Sequence, residues 1–203
     1  LQQSPHAQNT YVVYTADHGL AMGSHGLLGK QNVYEQSMKS PLILRGPGIP
    51  AGKSSPAFSY IFDLYATLCA LAQVPVPAGV DAKDLAPIWR NESVSVRESL
   101  FLPFQNCMRS VNDGRWKLHV YPQPNYRPLF NLETDPHDMQ NLAADPQHQD
   151  QYRRLTQLMQ QWHQPLGDTQ PLTVNYPKPP TVTFDNARRT LYRSHPHCIL
   201  HKP

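Results

Sequence analysis

Between Thr15 and Ser37 the chain reads TADHGLAMGSHGLLGKQNVYEQS, which sets an aspartate, two imidazoles and an ammonium among four glycines. The apolar run YVVY ends just before it, so Asp17 and His18 fall at the end of a strand, where open α/β sheets place their ligands. A carboxylate beside an imidazole can hold a divalent ion that polarises a bound oxyanion. The same pair also suits a plain turn, with the Asp as a cap and the His hydrogen-bonded. Lys30 stands thirteen residues after Asp17, behind GLLGK, and its ammonium can serve as a point charge against an anion that the metal already holds. His25, inside the loop, either contacts substrate or orders the loop.

The elements that must position these groups are legible in outline. TYVVYT is a continuous β-branched and aromatic run, the pattern of a parallel strand buried on both faces, and PLILRG from Pro41 is a second such run. From Ser59 to Val74 an apolar stretch predicts a buried helix with Ser59 as its N-cap. Residues 75–98 read as a surface connection with one helical turn near KDLAPIW. Then the period changes: MRSVNDGRWKLHVY places Asp113-Gly114 between two alternating runs, a hairpin signal, and PLFNLE supplies a third strand. Asp145-Pro146 opens a helix whose Tyr152, Leu155, Leu158, Met159 and Trp162 recur on one face. The proline-rich residues from Gln164 onward predict a strap over the surface.

The chain has 203 residues, a net charge of +3 and 21 prolines. Its basic residues are scattered, which gives no case for nucleic-acid binding, and no apolar run approaches the length of a membrane span. The amino terminus lacks a leader pattern, so either the protein is cytosolic or its targeting segment is not in this chain. Cys69, Cys107 and Cys198 form no CxxC pair, and their odd, sparse pattern argues against a disulfide framework. HPHCILHK, from His195, lacks the paired spacing of zinc modules and reads as a polar terminus. A buried parallel strand needs neighbours, yet little chain precedes YVVY; the sheet's other strands are expected from elsewhere, and the chain reads as the carboxyl-terminal portion of a larger protein.

Together these segments resemble the sulfatase family of the alkaline-phosphatase-like superfamily. The resemblance is carried by YVVYTADHGLAMGSHGLLGKQNVYEQSMKSPLILRGPGI, FSYIFDLYATLCALAQVPVP and FNLETDPHDMQNLA, in the family's order, over about residues 10 to 162. It implies an α/β fold: part of an alkaline-phosphatase-like sheet-and-helix core in residues 1–98, then a small antiparallel sheet with a covering helix and an irregular tail in 99–203. It further implies a hydrolase of sulfate esters that depends on a divalent metal, calcium foremost, with manganese or another ion as an alternative. Asp17 and His18 would bind the metal, Lys30 would be catalytic and reach a sulfate oxygen or the bridging oxygen, and His25 and Lys30 would contact substrate.

The family's formylglycine nucleophile arises from a Cys/Ser-x-Pro-x-Arg motif, and no cysteine here has the Pro and Arg in place. The expected partners are therefore a sulfated small molecule or carbohydrate and the missing amino-terminal half of the same enzyme, and the isolated chain is expected to be inactive. Phosphonate monoester or phosphodiester hydrolysis is the nearest alternative activity, and a non-catalytic fragment is the other reading. Periplasmic or extracellular location is what the family's carbohydrate-directed members favour.

Overall fold

The structure is a computed structural model and describes residues 3–91 and 94–178. In chain order the elements are β1 (Val12–Thr15), β2 (Ala21–Met22), β3 (Leu28–Gly29), α1 (Glu35–Met38), β4 (Leu42–Arg45), α2 (Asp63–Leu71) and α3 (Ala86–Arg90). There follow β5 (Leu100–Phe104), β6 (Met108–Asn112), β7 (Trp116–Val120), β8 (Leu129–Asn131) and α4 (Gln149–His163). Contacts divide the chain into two compact units, residues 1–17 with 40–99, and 18–39 with 100–203. The division expected from sequence, 1–98 and 99–203, had left 18–39 in the first part. That segment instead packs on the second sheet through Val33, Tyr34 and Glu35.

In the first unit β1 and β4 pair antiparallel, with Val12 opposite Arg45 and Thr15 opposite Leu42. The expectation of parallel strands is corrected by this register; Val12, Tyr14 and Ile43 are exposed in this chain, Tyr14 by 63 %, in keeping with the expectation that the sheet's other strands lie elsewhere. The helix expected from Ser59 starts later and is less buried than its composition suggests. Asp63 sets its start: this fully buried carboxylate accepts the backbone N–H groups of Tyr60 and Lys83, each at 2.8 Å, and the Nε of Arg97 at 2.9 Å. Burial alone would raise the Asp63 pKa; the Arg97 hydrogen bond and the two N–H groups outweigh it and hold the carboxyl below its ordinary range. Tyr65 and Leu68 of α2 face solvent. Cys69 is a free thiol.

The second unit is built on an antiparallel sheet in the order β5-β6-β7-β8. The expected hairpin is present, with Arg109 opposite Val120 and Asn112 opposite Lys117. Its turn uses Gly114 at φ 97°, and Asp113 Oδ1 accepts the N–H of Trp116 at 2.7 Å. β5, absent from the sequence reading, adds an edge strand that pairs Phe101 with Val111. One sheet face carries Phe101, Val111, Leu118, Val120 and Leu129, packed under Leu155 and Met159 of α4. The expected amphipathic stripe of that helix is what makes this core, and Asp145 caps the turn before it by accepting the Gln147 N–H. The strap holds over the described residues: Arg109 grips Asp168 through Nε and Nη2, and Arg127 donates to the Leu172 carbonyl at 3.0 Å. The HPHCILHK segment lies outside the described residues.

The opposite sheet face is polar yet also covered, by residues 33–38. His119 and its cross-strand partner Ser110 are fully buried there, and His119 makes no hydrogen bond through either ring nitrogen. Tyr34, Tyr121 and Phe130 surround its ring. Burial pushes the His119 pKa well below the ordinary imidazole value, and the charges of Lys117 and His25 push the same way. A base with a depressed pKa contributes stability that is complete above its unfolded pKa and is lost as pH falls toward the folded value. Urea unfolding should therefore weaken from pH 7.5 to pH 5, by at most about 1.4 kcal/mol per pH unit for this one group. The same series on His119→Phe should show a shallower acid limb; an identical limb would exclude His119 as its source.

Candidate functional site

Local chain geometry brings His18 and Lys30 together. After His18 the chain forms the two-residue strand β2, a left-handed turn at Gly23, and β3, with Ala21 opposite Gly29 and Met22 opposite Leu28. This small hairpin folds the chain back on itself. Gly29, at φ 111°, adopts a backbone that side chains disfavour, and Lys30 leaves it beside His18.

The contacts of His18 fix its tautomer. Nδ1 lies 2.7 Å from the Gly19 carbonyl oxygen, which can only accept, so Nδ1 carries the proton. Nε2 is then a lone pair, and it accepts from the Lys30 ammonium at 2.6 Å. An imidazole with one nitrogen tied to a carbonyl and the other presenting a lone pair is arranged as a metal-ligating histidine is. Asp17, the preceding residue, is exposed and belongs to the first unit. Among the described residues no group of three His, Cys, Asp or Glu side chains could hold a metal ion.

Other expected residues have different settings. His25 sits in left-handed backbone, at φ 55°, and stacks on Tyr34 with ring centroids 3.8 Å apart. Burial lowers its pKa, against the pull of Asp138. Arg109, His119 and Tyr121 of the small sheet are all buried: Arg109 is committed to Asp168, and the other two lie under Tyr34. The sequence reading missed Glu35, Lys117 and Asp138. Lys117 and Asp138 are fully buried, and the Lys117 ammonium bridges Glu35 Oε1 at 2.7 Å and Asp138 Oδ2 at 3.1 Å. Nothing in an alternating strand distinguishes such a lysine from one in water.

Comparison with known proteins bears on this geometry. The family model of the N-sulphoglucosamine sulphohydrolase carboxyl-terminal region matches residues 23–165. A delta 4,5-hexuronate-2-O-sulfatase of Bacteroides thetaiotaomicron is 34% identical over 161 residues, covering 73% of this chain and 33% of the relative. The solved structure of BT4656 in complex with its substrate D-glucosamine-2-N,6-O-disulfate is similar at TM-score 0.74 and 26% identity, over 81% of this chain and 36% of that one. A phosphonate monoester hydrolase from Silicibacter pomeroyi is similar at TM-score 0.68 and 25% identity, over 80% and 36%. The chain thus spans about a third of the length of the curated relatives it matches. With a family model over most of its length, a sulfatase relative at this identity and the fold of solved sulfatases, the chain belongs to the sulfatase family of the alkaline-phosphatase-like superfamily and corresponds to that family's carboxyl-terminal part.

Proposed function

We propose that this chain supplies the metal-facing and sulfate-facing groups of a hydrolase of sulfate esters, and that its nucleophile comes from sequence outside these 203 residues. The observation that carries the reading is the paired setting of His18 and Lys30: one nitrogen of the imidazole is tied to the Gly19 carbonyl, and its lone pair is offered at the ammonium. A sulfate ester shields its sulfur with negative oxygens, so the site must offset charge before attack. A divalent ion, when bound, supplies that polarisation. Asp17 would offer it a carboxylate oxygen and His18 the Nε2 lone pair. Calcium prefers oxygen donors, whereas the imidazole also suits manganese, so the proposed ion is divalent with calcium first. The Lys30 ammonium, whose three protons make it a donor only, would reach a sulfate oxygen or the bridging oxygen. His25, stacked on Tyr34, stiffens the loop between them and lies on the same segment for a substrate contact.

The substrate class we propose is a sulfated carbohydrate, supported by the hexuronate sulfatase relative and by the sulfated glucosamine held in the similar structure. A second reading, phosphonate monoester hydrolysis, rests on the similarity to the Silicibacter pomeroyi enzyme. Both use an anion at a metal, and they differ in the central atom. The test assays this chain alone, and joined to an amino-terminal portion bearing a Cys/Ser-x-Pro-x-Arg motif, against an aryl sulfate and an aryl phosphonate with calcium or manganese. The expected result is no turnover by the chain alone, because a covalent route needs its nucleophile, and faster turnover of the sulfate by the joined protein. Faster phosphonate turnover would favour the second reading. No turnover in the joined protein, with metal bound, would indicate a non-catalytic fragment.

A further inference from the structure

A buried lysine in the middle of a strand is costly unless something depends on it. The Lys117 ammonium is fully buried, and its two carboxylate partners both hold the short helix α1: Glu35 is its first residue, and Asp138 Oδ2 accepts the Glu35 backbone N–H at 3.0 Å. Asn112, opposite Lys117 in the sheet, also donates to Glu35 Oε1, at 3.4 Å. The residue before α1, Tyr34, is clamped between the stacked ring of His25 and the edge of His119. The sheet therefore fixes α1 at its amino end by charge and by ring packing.

From α1 the contact passes to the site. The Gly19 N–H donates to the Ser37 carbonyl at 2.8 Å, and a Cβ at Gly19 would stand only 2.0 Å from the Gln36 carbonyl oxygen. Only a glycine can lie this close to the backbone of α1. The carbonyl of that same Gly19 receives the His18 Nδ1 proton. Every link from Lys117 to His18 is thus a hydrogen bond, an ion pair or a backbone contact within one compact unit.

We infer that Lys117, Glu35 and Asp138 are positioning residues for the site: by seating α1 they hold the Gly19 carbonyl in the place that keeps the His18 proton on Nδ1 and its lone pair on Nε2. The inference deepens the proposed function, resting on the reading of His18 as a metal ligand, and it assigns a task to three residues that touch neither metal nor substrate. Free imidazole favours the proton on Nε2, so loss of the carbonyl partner exchanges the lone pair for an N–H and removes a ligand without removing the histidine. An orienting carbonyl of this kind governs ligand quality in metal sites generally.

The test is the ¹⁵N spectrum of the His18 ring in the full chain, at a pH where the imidazole is neutral. In the unaltered protein it should report the Nδ1–H tautomer alone. Glu35→Ala and Asp138→Ala should convert this to a mixture richer in the Nε2–H form, with the methyl shifts of Val111 and Leu118 reporting an intact sheet. Glu35→Gln, which keeps an acceptor for Lys117, should restore most of the Nδ1–H signature. Should Asp138→Ala fail to fold, Glu35→Ala decides alone, because it leaves Lys117 paired with Asp138. A pure Nδ1–H signature that survives in the folded alanine variants would overturn the inference. Adding Mn²⁺ to the same samples separates the two readings: if the tautomer responds to Glu35→Ala but Mn²⁺ never broadens the His18 ring, the positioning stands and the ligand role of His18 falls.

Discussion

Replacing Lys117 by methionine is expected to destabilise the protein by about 3–5 kcal/mol, the cost of breaking a buried ion pair from one side. Methionine matches the length and apolar stem of lysine, so the loss comes from charge and not from a cavity. The two carboxylates left behind, Glu35 and Asp138, meet at one ammonium, and Asp138 is fully buried with no hydrogen bond to Oδ1. Burial already raises the Asp138 pKa, with Lys117 opposing it. Without Lys117 the folded pKa rises further, so Asp138 contributes stability that is present below its unfolded pKa and is lost as pH rises through the folded value. The deficit of Lys117→Met against the unaltered chain should therefore shrink as pH is lowered. Urea unfolding at two pH values measures it. A deficit below about 1 kcal/mol at pH 7 would mean that this triad behaves like a surface pair.

In the joined enzyme, Lys30→Ala should lower kcat/KM for an aryl sulfate by about 10²–10³-fold, the scale for losing one preorganised group from a developing charge. The structure sharpens this expectation, because the ammonium is held against the His18 lone pair and is not left loose in water. Metal affinity should not fall in the variant, since alanine removes a competitor for that lone pair. Calcium or manganese titration alongside the kinetics distinguishes a charge role from a structural one. Unchanged kcat/KM would exclude Lys30 from the chemistry.

Much of the fold was legible because its signals are local. The Asp113-Gly114 hairpin, the stripe from Tyr152 to Trp162 and the Asp145 cap each declare themselves within a few residues. The glycines before Lys30 signal a tight return of the chain, and a short hairpin stands there, although its strands and the contact of Lys30 with His18 are not legible in sequence. What stayed hidden depends on partners far away in sequence. Lys117 and His119 alternate with Trp116, Leu118 and Val120, the pattern of a strand with one wet face, and only the packing of residues 33–38 makes that face dry. Likewise TYVVYT has the composition of a doubly buried strand, but its sole partner among the described strands is β4, and alternate residues stay exposed. The start of α2 was misplaced at Ser59 because the cue is a buried Asp63 paired with Arg97, 34 residues on. Composition cannot report which charges will be paired.

The central proposal is that Asp17 and His18 are ligands of a divalent ion, and paramagnetic broadening by Mn²⁺ tests it most directly, since it detects even the weak binding expected of an incomplete ligand set. Substoichiometric Mn²⁺ added to the ¹⁵N-labelled chain should broaden the His18 ring and the amides of Asp17 and His18 first, and Asp17→Asn should abolish that selectivity. Broadening centred on other residues, or a pattern at His18 that Asp17→Asn leaves unchanged, would contradict the assignment.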